Sequence, residues 1–304
     1  MRVFVTGASG FIGSAVVPEL IGAGHQVLGL ARSQESADAL TAAGAQVQRG
    51  TLDDVDALRS AAAASDGVLH LAFKHDIAFS GGFREAADAD RRAIDAFGDA
   101  LAGSDRPLVI ASGVAGLPAG RVNTESDVPE PDQSMGGRFA NEQAALGLAT
   151  RGVRSASVRL APTVHGEDDH GFMAMLIGIA RDKGASGYLG DGSNRWPAVH
   201  RLDAAQLFRL ALEQAPAGSV LHGVAEQGVA FRGIADVIGR HLNLPVVAVS
   251  AADAATHFGW LAGVVGSDIA ASSTRTRQLL SWEPTHPGLL ADLDQGHYFL
   301  APPA

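Results

Sequence analysis

The 304-residue chain has no cysteine, only two tyrosines, three tryptophans and four methionines. Without cysteine there are no disulfides and no thiolate metal centre, so the fold is held by packing alone. The lack is compatible with any compartment. With so little tyrosine, any chemistry that needs a phenol falls on Tyr188 or Tyr298. Positive charge is also short: 23 Lys and Arg against 33 Asp and Glu give a formal net charge of −10. Such a surface disfavours general binding to nucleic acid or an anionic membrane. No unbroken apolar run approaches the roughly 20 residues that span a bilayer. The N-terminal apolar run is interrupted by Gly7 and Gly10 and followed by Pro18-Glu19, unlike a secretory signal. The expectation is a soluble cytoplasmic protein that binds a small molecule, with no nucleic-acid or membrane partner. Hydrophobic residues make up 46% of the chain, enough for one large α/β domain with an attached lobe.

The first thirteen residues organise the rest. Arg2-Val3-Phe4-Val5 reads as a buried strand, and it runs into Thr6-Gly7-Ala8-Ser9-Gly10-Phe11-Ile12-Gly13. Ala15, Val16, Leu20 and Ile21 then follow with helical spacing. Strand, glycine-rich turn and helix together point to a dinucleotide phosphate site. Gly7 suits a tight turn, Gly10 a close backbone approach to pyrophosphate, and Gly13 close packing of helix on sheet. The free N–H groups at the helix start, with the helix dipole, receive the negative charge.

Strands expected at residues 25–30, 45–48, 67–72, 107–111 and 152–160 alternate with helices at 36–43, 57–64, 83–101 and 134–149. This predicts a parallel, doubly wound sheet. Residues 116–131, rich in Gly and Pro, read as an exposed loop over the sheet's carboxyl edge. Beyond Pro162 the pattern loosens into a helix at 171–182, a glycine-studded turn region at 187–197, a short strand at 199–202, and a helix at 203–213. Small helices at 231–241, 251–261 and 274–280 complete a lid. The dinucleotide domain is expected to span residues 1–165 with 198–225 returning to it. Residues 166–197 and 226–304 would form the substrate lobe. At the end of the second strand, Arg32 with Ser33 beside it favours NADP(H) over NAD(H), because a guanidinium fork matches a 2′-phosphate.

The whole pattern resembles the extended short-chain dehydrogenases/reductases, which include the NAD-dependent epimerase/dehydratase proteins. Thr6 to Gly13 is similar to their TGxxGxxG turn, and Val68-Leu69-His70-Leu71-Ala72 to their V-x-H-x-A strand. Val109-Ile110-Ala111-Ser112-Gly113 resembles the strand that ends in the catalytic serine or threonine. Arg159 to Gly166, Gly190-Asp191-Gly192 with Val199-His200 and Asp203, and Trp282-Glu283-Pro284 resemble later family segments. The resemblance implies a Rossmann-type fold with a smaller, mostly helical C-terminal lobe, and often a homodimer. It places cofactor contacts at Gly7, Gly10, Phe11, Ile12, Gly13, Arg32, Ser33, Thr51, Leu52, Leu71, Ala72, Phe73, Arg138 and Pro162. Thr51 stands where the family often has an adenine-contacting aspartate.

One departure decides the chemistry. The family's proton donor is the tyrosine of YxxxK; with Glu142-Gln143 as anchor, the lysine position falls on Arg138 and the tyrosine position on Ser134. Arg138 can orient the nicotinamide ribose but, with a pKa above roughly 12, is a poor proton shuttle. Ser112 ranks first for a hydrogen bond to the substrate oxygen, and Ser134 is a relay candidate. His75, His165 and His170 are proton-donor candidates because imidazole titrates in the useful range. Lys74, Arg195 and Trp196 are candidates for lining the cavity. The function implied is NADP(H)-dependent reduction of a small ketone or aldehyde with atypical proton donation. An imine reductase, since an iminium arrives protonated, and a non-catalytic dinucleotide sensor are alternatives, with epimerase or dehydratase work disfavoured. His165 to His170 holds two histidines and three carboxylates, but lacks a helix-borne histidine pair, so no metal is expected.

Overall fold

The computed structural model describes residues 1–129 and 136–300. The N-terminal part runs β1 (Arg2–Thr6), α1 (Gly13–Gly22), β2 (Gln26–Ala31), α2 (Gln34–Ala42), β3 (Gln46–Arg49), α3 (Val55–Ala63) and β4 (Gly67–His70). A short turn α4 (His75–Ile77) leads into the long α5 (Phe83–Leu101), then β5 (Pro107–Gly113), α6 (Gly136–Gly147) and β6 (Arg154–Leu160). Next come β7 (Thr163–His165), α7 (Phe172–Lys183), β8 (Ser186–Leu189), β9 (Arg195–His200), α8 (Arg201–Gln214), β10 (Ser219–Gly223) and β11 (Glu226–Ala230). The chain closes with α9 (Phe231–Leu242), β12 (Val246–Val249), α10 (Ala254–Phe258), α11 (Ala262–Val265), α12 (Thr274–Leu280) and α13 (Leu289–Asp294).

Seven strands form one sheet in the order β10-β6-β5-β4-β1-β2-β3, and every pair in it is parallel. This is the Rossmann-type doubly wound sheet expected from strict strand–helix alternation. The period-2 geometry of a strand sends successive side chains to opposite faces. In β1, Val3 and Val5 accordingly pack with Val16, Leu20, Leu207 and Phe208 of α1 and α8. Phe4 packs on the other face with Leu58, Ile94 and Phe97 of α3 and α5. Both faces are covered, so the central strands are apolar where they are buried, at Val3, Phe4 and Val5 of β1, Val68 and Leu69 of β4, and Leu108, Val109 and Ile110 of β5.

A second core belongs to the C-terminal lobe, where Met173, Trp196, Phe231, Ile234, Ile238, Leu261 and Leu289 meet. Besides its helices the lobe contains two small sheets, β11-β9-β7 and β12-β8. The turn region expected at 187–197 is thus partly strand. Gly187 lies in β8 because a Cβ there would stand 2.5 Å from His257 Nε2 and 2.9 Å from a Val249 methyl. Only Gly190 and Gly192, with φ of +60° and +71°, make the turn. The helix expected at 251–261 stops at Gly259, whose φ of 59° and ψ of −134° suit glycine alone. The segment at 116–129 is less exposed than its composition suggests, since Leu117, Asn123 and Glu125 are buried.

Candidate active site

The glycine turn between β1 and α1 has little room for side chains. Gly7 has φ +67°, and a Cβ there would lie 2.8 Å from the Ala72 backbone nitrogen at the end of β4. At Gly13 a Cβ would come within 2.0 Å of the Gly7 carbonyl oxygen, so the helix can press against the turn only with glycine. The Gly10 N–H donates to the Gly7 carbonyl at 3.0 Å, and the Ser14 N–H to that of Gly10 at 2.8 Å. Among the described residues, the N–H groups of Phe11, Ile12 and Gly13 have no acceptor. No acidic residue occupies the first turn of α1, and this unopposed positive end is what an anionic phosphate requires.

Behind the turn runs a buried polar chain that joins Thr6 and His70, both in segments with a sequence signature, to Asp90 and Asn141, which have none. The Thr6 hydroxyl accepts from the Ala72 N–H (3.3 Å) and donates to His70 Nδ1 (2.7 Å). His70 Nε2 then donates to Asp90 (3.0 Å), whose other oxygen accepts from Asn141 Nδ2 at 2.7 Å. Burial alone would raise the Asp90 pKa, but the hydrogen bond from His70, with the Arg138 charge and the Asn141 amide, holds it below the usual carboxylate range.

At the other end of the groove, Arg32 follows the last residue of β2 and is exposed, 3.6 Å from Asp76. Ser33 caps α2, its hydroxyl accepting the Ser36 N–H at 3.1 Å. The Thr51 hydroxyl donates to Asp54 (2.9 Å), and Leu52 is buried in the core beneath. Asp53 is held below its ordinary pKa first by the hydrogen bond from Lys74. Lys74, at 2.7 Å from Asp53, is therefore tied to a carboxylate rather than free in the cavity.

Ser112 ends β5 with only 4% of its surface exposed, and its Oγ has no partner among the described residues. Arg138, on the first turns of α6, donates to the Ala111 carbonyl at 3.2 Å. Its guanidinium stacks over the Phe73 ring at 4.2 Å. Burial lowers the Arg138 pKa from the arginine range, while the charges of Asp90 and Glu142 oppose that shift. Arg138 is thus at the carboxyl edge of the sheet beside Ser112, with Leu71, Ala72 and Phe73 at the adjoining end of β4. Pro162 is half-buried just past β6. Ser134 lies outside the described residues.

The histidines separate into different roles. His75 is solvent-accessible, yet desolvation by the surrounding protein, and then the Arg138 charge, lowers its pKa to about 4. It is neutral at pH 7 and a weak reservoir of protons there. His165 is turned inward: it is 1% exposed, and its Nδ1 lies 2.8 Å from Asp292. The short β7 places it against α13 and the His200 ring (5.4 Å), which removes it as a proton donor to a substrate. His170 is exposed and edges onto Phe11 at 5.8 Å. Trp196 is fully buried between Phe172 and Phe231, and Arg195 is taken up by a two-pronged pair with Asp268 (2.9 and 2.7 Å). Neither is free to line a cavity. Tyr298 donates to Asp169 (2.9 Å) and accepts the Gly166 N–H (3.1 Å). That contact spans 129 residues, so no local pattern announces it. Among the described residues no group of three or more His, Asp or Glu is arranged to hold a metal.

Residues 3–222 match the family described as the NAD dependent epimerase/dehydratase family. The chain belongs to that family. It is 48% identical over 301 residues to protein C2A9.02 of Schizosaccharomyces pombe, covering 98% of this chain and all of the relative. It is 28% identical over 274 residues to the 4-hydroxy-2-methyl-3-oxo-4-farnesyl-3,4-dihydroquinoline-1-oxide ketoreductase of Stigmatella aurantiaca, covering 85% of this chain and 80% of the relative. In fold it is similar to DesIV, a dTDP-glucose 4,6-dehydratase from Streptomyces venezuelae solved with NAD bound. The TM-score is 0.78 at 18% identity, over 98% of this chain and 97% of that one.

The cofactor class of the family is a nicotinamide dinucleotide, and the site fits one. The cramped glycine turn leaves room for a close backbone approach, and the three unpaired N–H groups and the orphaned Ser112 hydroxyl are open to a polar ligand. The family's Arg–Glu landmarks also meet in space. Arg159 and Glu142 form a buried two-pronged pair at 2.9 and 2.7 Å, which supports Glu142 as the anchor that puts Arg138 at the lysine position. Among the described residues, the only tyrosines are Tyr188, in the lobe core, and Tyr298.

Proposed function

We propose that this chain is an NADP(H)-dependent oxidoreductase that reduces a small ketone or aldehyde, with Ser112 rather than a tyrosine contacting the substrate oxygen. The observation that carries the reading is the buried, unpartnered Ser112 Oγ, beside Arg138 at the same sheet edge as the glycine turn. When bound, the nicotinamide dinucleotide supplies the hydride. The Phe11, Ile12 and Gly13 N–H groups receive the pyrophosphate. Arg32 reaches the 2′-phosphate, with Ser33 beside it. Arg138 holds the nicotinamide ribose and sets a positive field where the substrate oxygen gains charge. Ser112 donates a hydrogen bond to that oxygen. Residues 166–197 and 226–304 form the substrate lobe over this edge.

A second reading, reduction of a cyclic iminium, is favoured by one feature. His75 is neutral and Arg138 is a reluctant acid, and an iminium needs no proton. One experiment separates the two: NADPH oxidation is followed with ketones, aldehydes and cyclic imines for the wild type and Ser112→Ala. A carbonyl reductase loses about 10- to 100-fold in kcat/KM in the variant, with NADPH affinity unchanged. Full carbonyl activity in Ser112→Ala removes Ser112 from the mechanism. An imine reductase keeps its rate, and oxidation with no compound at all favours a dinucleotide sensor.

A further inference from the structure

A continuous run of rings leads away from Arg138. Phe73, under the guanidinium, touches His75 (5.1 Å between centroids) and Phe83 (5.8 Å). His75 stacks on Phe79 at 5.6 Å and 30°. Phe79 in turn stacks on Trp260 of the C-terminal lobe at 5.2 Å and 27°. Trp260 contacts Phe172 (6.4 Å), which packs on Trp196. Beyond the Arg138 guanidinium at its inner end, the wall presents rings, with His75 held neutral and Arg195 fully engaged by Asp268.

Two of these rings are out of place for a core. Phe79 is 52% exposed and Trp260 54%, although they stack on each other across the two halves of the molecule. Trp260 directly follows Gly259 (φ +59°), and Gly81 (φ +93°) lies two residues after Phe79, both glycines in a backbone conformation that other residues avoid. No atom lies within 4 Å of a Cβ built at either glycine, so these positions serve the bend of the chain and not close packing. Two stacked, half-exposed rings at the boundary of the two halves present π faces to any flat group that reaches them.

We infer that the substrate carries a flat, uncharged aryl group near its reacting carbon, and that Phe79 and Trp260 grip it at the mouth of the site. The inference rests on the oxidoreductase reading for where the carbonyl goes. It is distinct in what it says of the rest of the substrate: a phosphate would need guanidinium or ammonium groups facing it, and Phe79 and Trp260 offer π faces instead.

The test compares 4-phenyl-2-butanone with 4-cyclohexyl-2-butanone, which share a carbon skeleton and differ in flatness. Dissociation constants for both are measured on the full chain by saturation-transfer NMR, with NADP⁺ present and without nucleotide. Trp260 is the one exposed tryptophan, since Trp196 and Trp282 are fully buried, so its fluorescence gives an independent readout. The wild type is expected to bind the phenyl ketone about three- to tenfold more tightly and to change Trp260 emission on binding. Phe79→Leu and Trp260→Leu, both at half-exposed positions and checked by circular dichroism, should reduce the preference below about twofold, and Trp260→Phe should keep it. Equal affinities in the wild type, binding of neither ketone, or an undiminished preference in Trp260→Leu overturns the inference. Failure of NADP⁺ to bind, with the aryl preference intact, sinks the oxidoreductase reading alone.

Discussion

Among the described residues, Arg32 has one carboxylate within reach, Asp76 at 3.6 Å, and both side chains are largely exposed. Such a pair contributes ~0–1 kcal/mol, so a 2′-phosphate displaces it at little cost. Arg32→Glu should weaken NADPH binding by about 10- to 100-fold while changing NADH binding less than about threefold. Titration of nucleotide fluorescence checks this, and equal losses for both would end the 2′-phosphate role. At His75 the expected outcome is a flat response: with its pKa at about 4, kcat/KM should show no inflection from it between pH 5.5 and 8. The cramped geometry at Gly7 and Gly13 is legible in the sequence because it depends on a short segment. His165, expected among the proton-donor candidates, is turned inward, which the sequence hides for the opposite reason. Its partner Asp292 is 127 residues away, and spacing along a loop gives no sign of which way a ring turns.

Among the elements, the β1–turn–α1 unit is the least tolerant. A methyl at Gly13 would overlap backbone, the Gly7 oxygen at 2.0 Å and Ala8 carbon at 2.7 Å, and no rotamer relieves that. Gly13→Ala should abolish dinucleotide binding in calorimetry and lower the melting temperature by several degrees. The α6–β6 junction is held by Glu142, which accepts from Arg159 and also from the Ser157 hydroxyl at 2.6 Å. Glu142→Gln leaves a buried guanidinium short of its counter-charge and should cost about 3–5 kcal/mol in denaturant unfolding. The alternation of apolar strands and amphipathic helices makes six of the seven strands in the large sheet readable, because each pairs with neighbours that the same periodicity predicts; β10 (Ser219–Gly223) has no such signal. Short lobe strands β8, β11 and β12 were not readable. Their partners are distant, and Gly187 in β8 reads as a turn until the packing of His257 against it is seen.

For the molecule as a whole, acid should act through the lobe junction. His200 is 8% exposed, and desolvation, then the neighbouring His165, depress its pKa from 6.5 to about 4. His286 adds to that effect, while Asp292 and Asp203 oppose it. The unfolded chain takes up this proton first as pH falls. The stability is therefore complete above pH 6.5 and is lost as pH drops toward 4, by at most ~3 kcal/mol. Thermal melts across that window should show the decline, and His200→Asn, which keeps an acceptor for the Leu202 N–H now made by Nδ1 (3.2 Å), should flatten it.

The segment after Ser112 is stitched to the far end of the chain. Asn123 and Ala270 exchange backbone contact, with the Asn123 N–H donating at 2.9 Å and the Ser272 N–H returning at 2.7 Å. Buried Glu125 accepts both the N–H and the hydroxyl of Thr276 at 2.7 Å. During synthesis the ribosome releases residue 123 long before residue 276, so this flap has nothing to fasten to until the residues after 270 emerge. Leu280 and Trp282 also pack in the core shared by β1, α1 and α8, so a nascent chain halted near residue 265 should hold dinucleotide weakly, and one stretch of chain closes both the flap and that core.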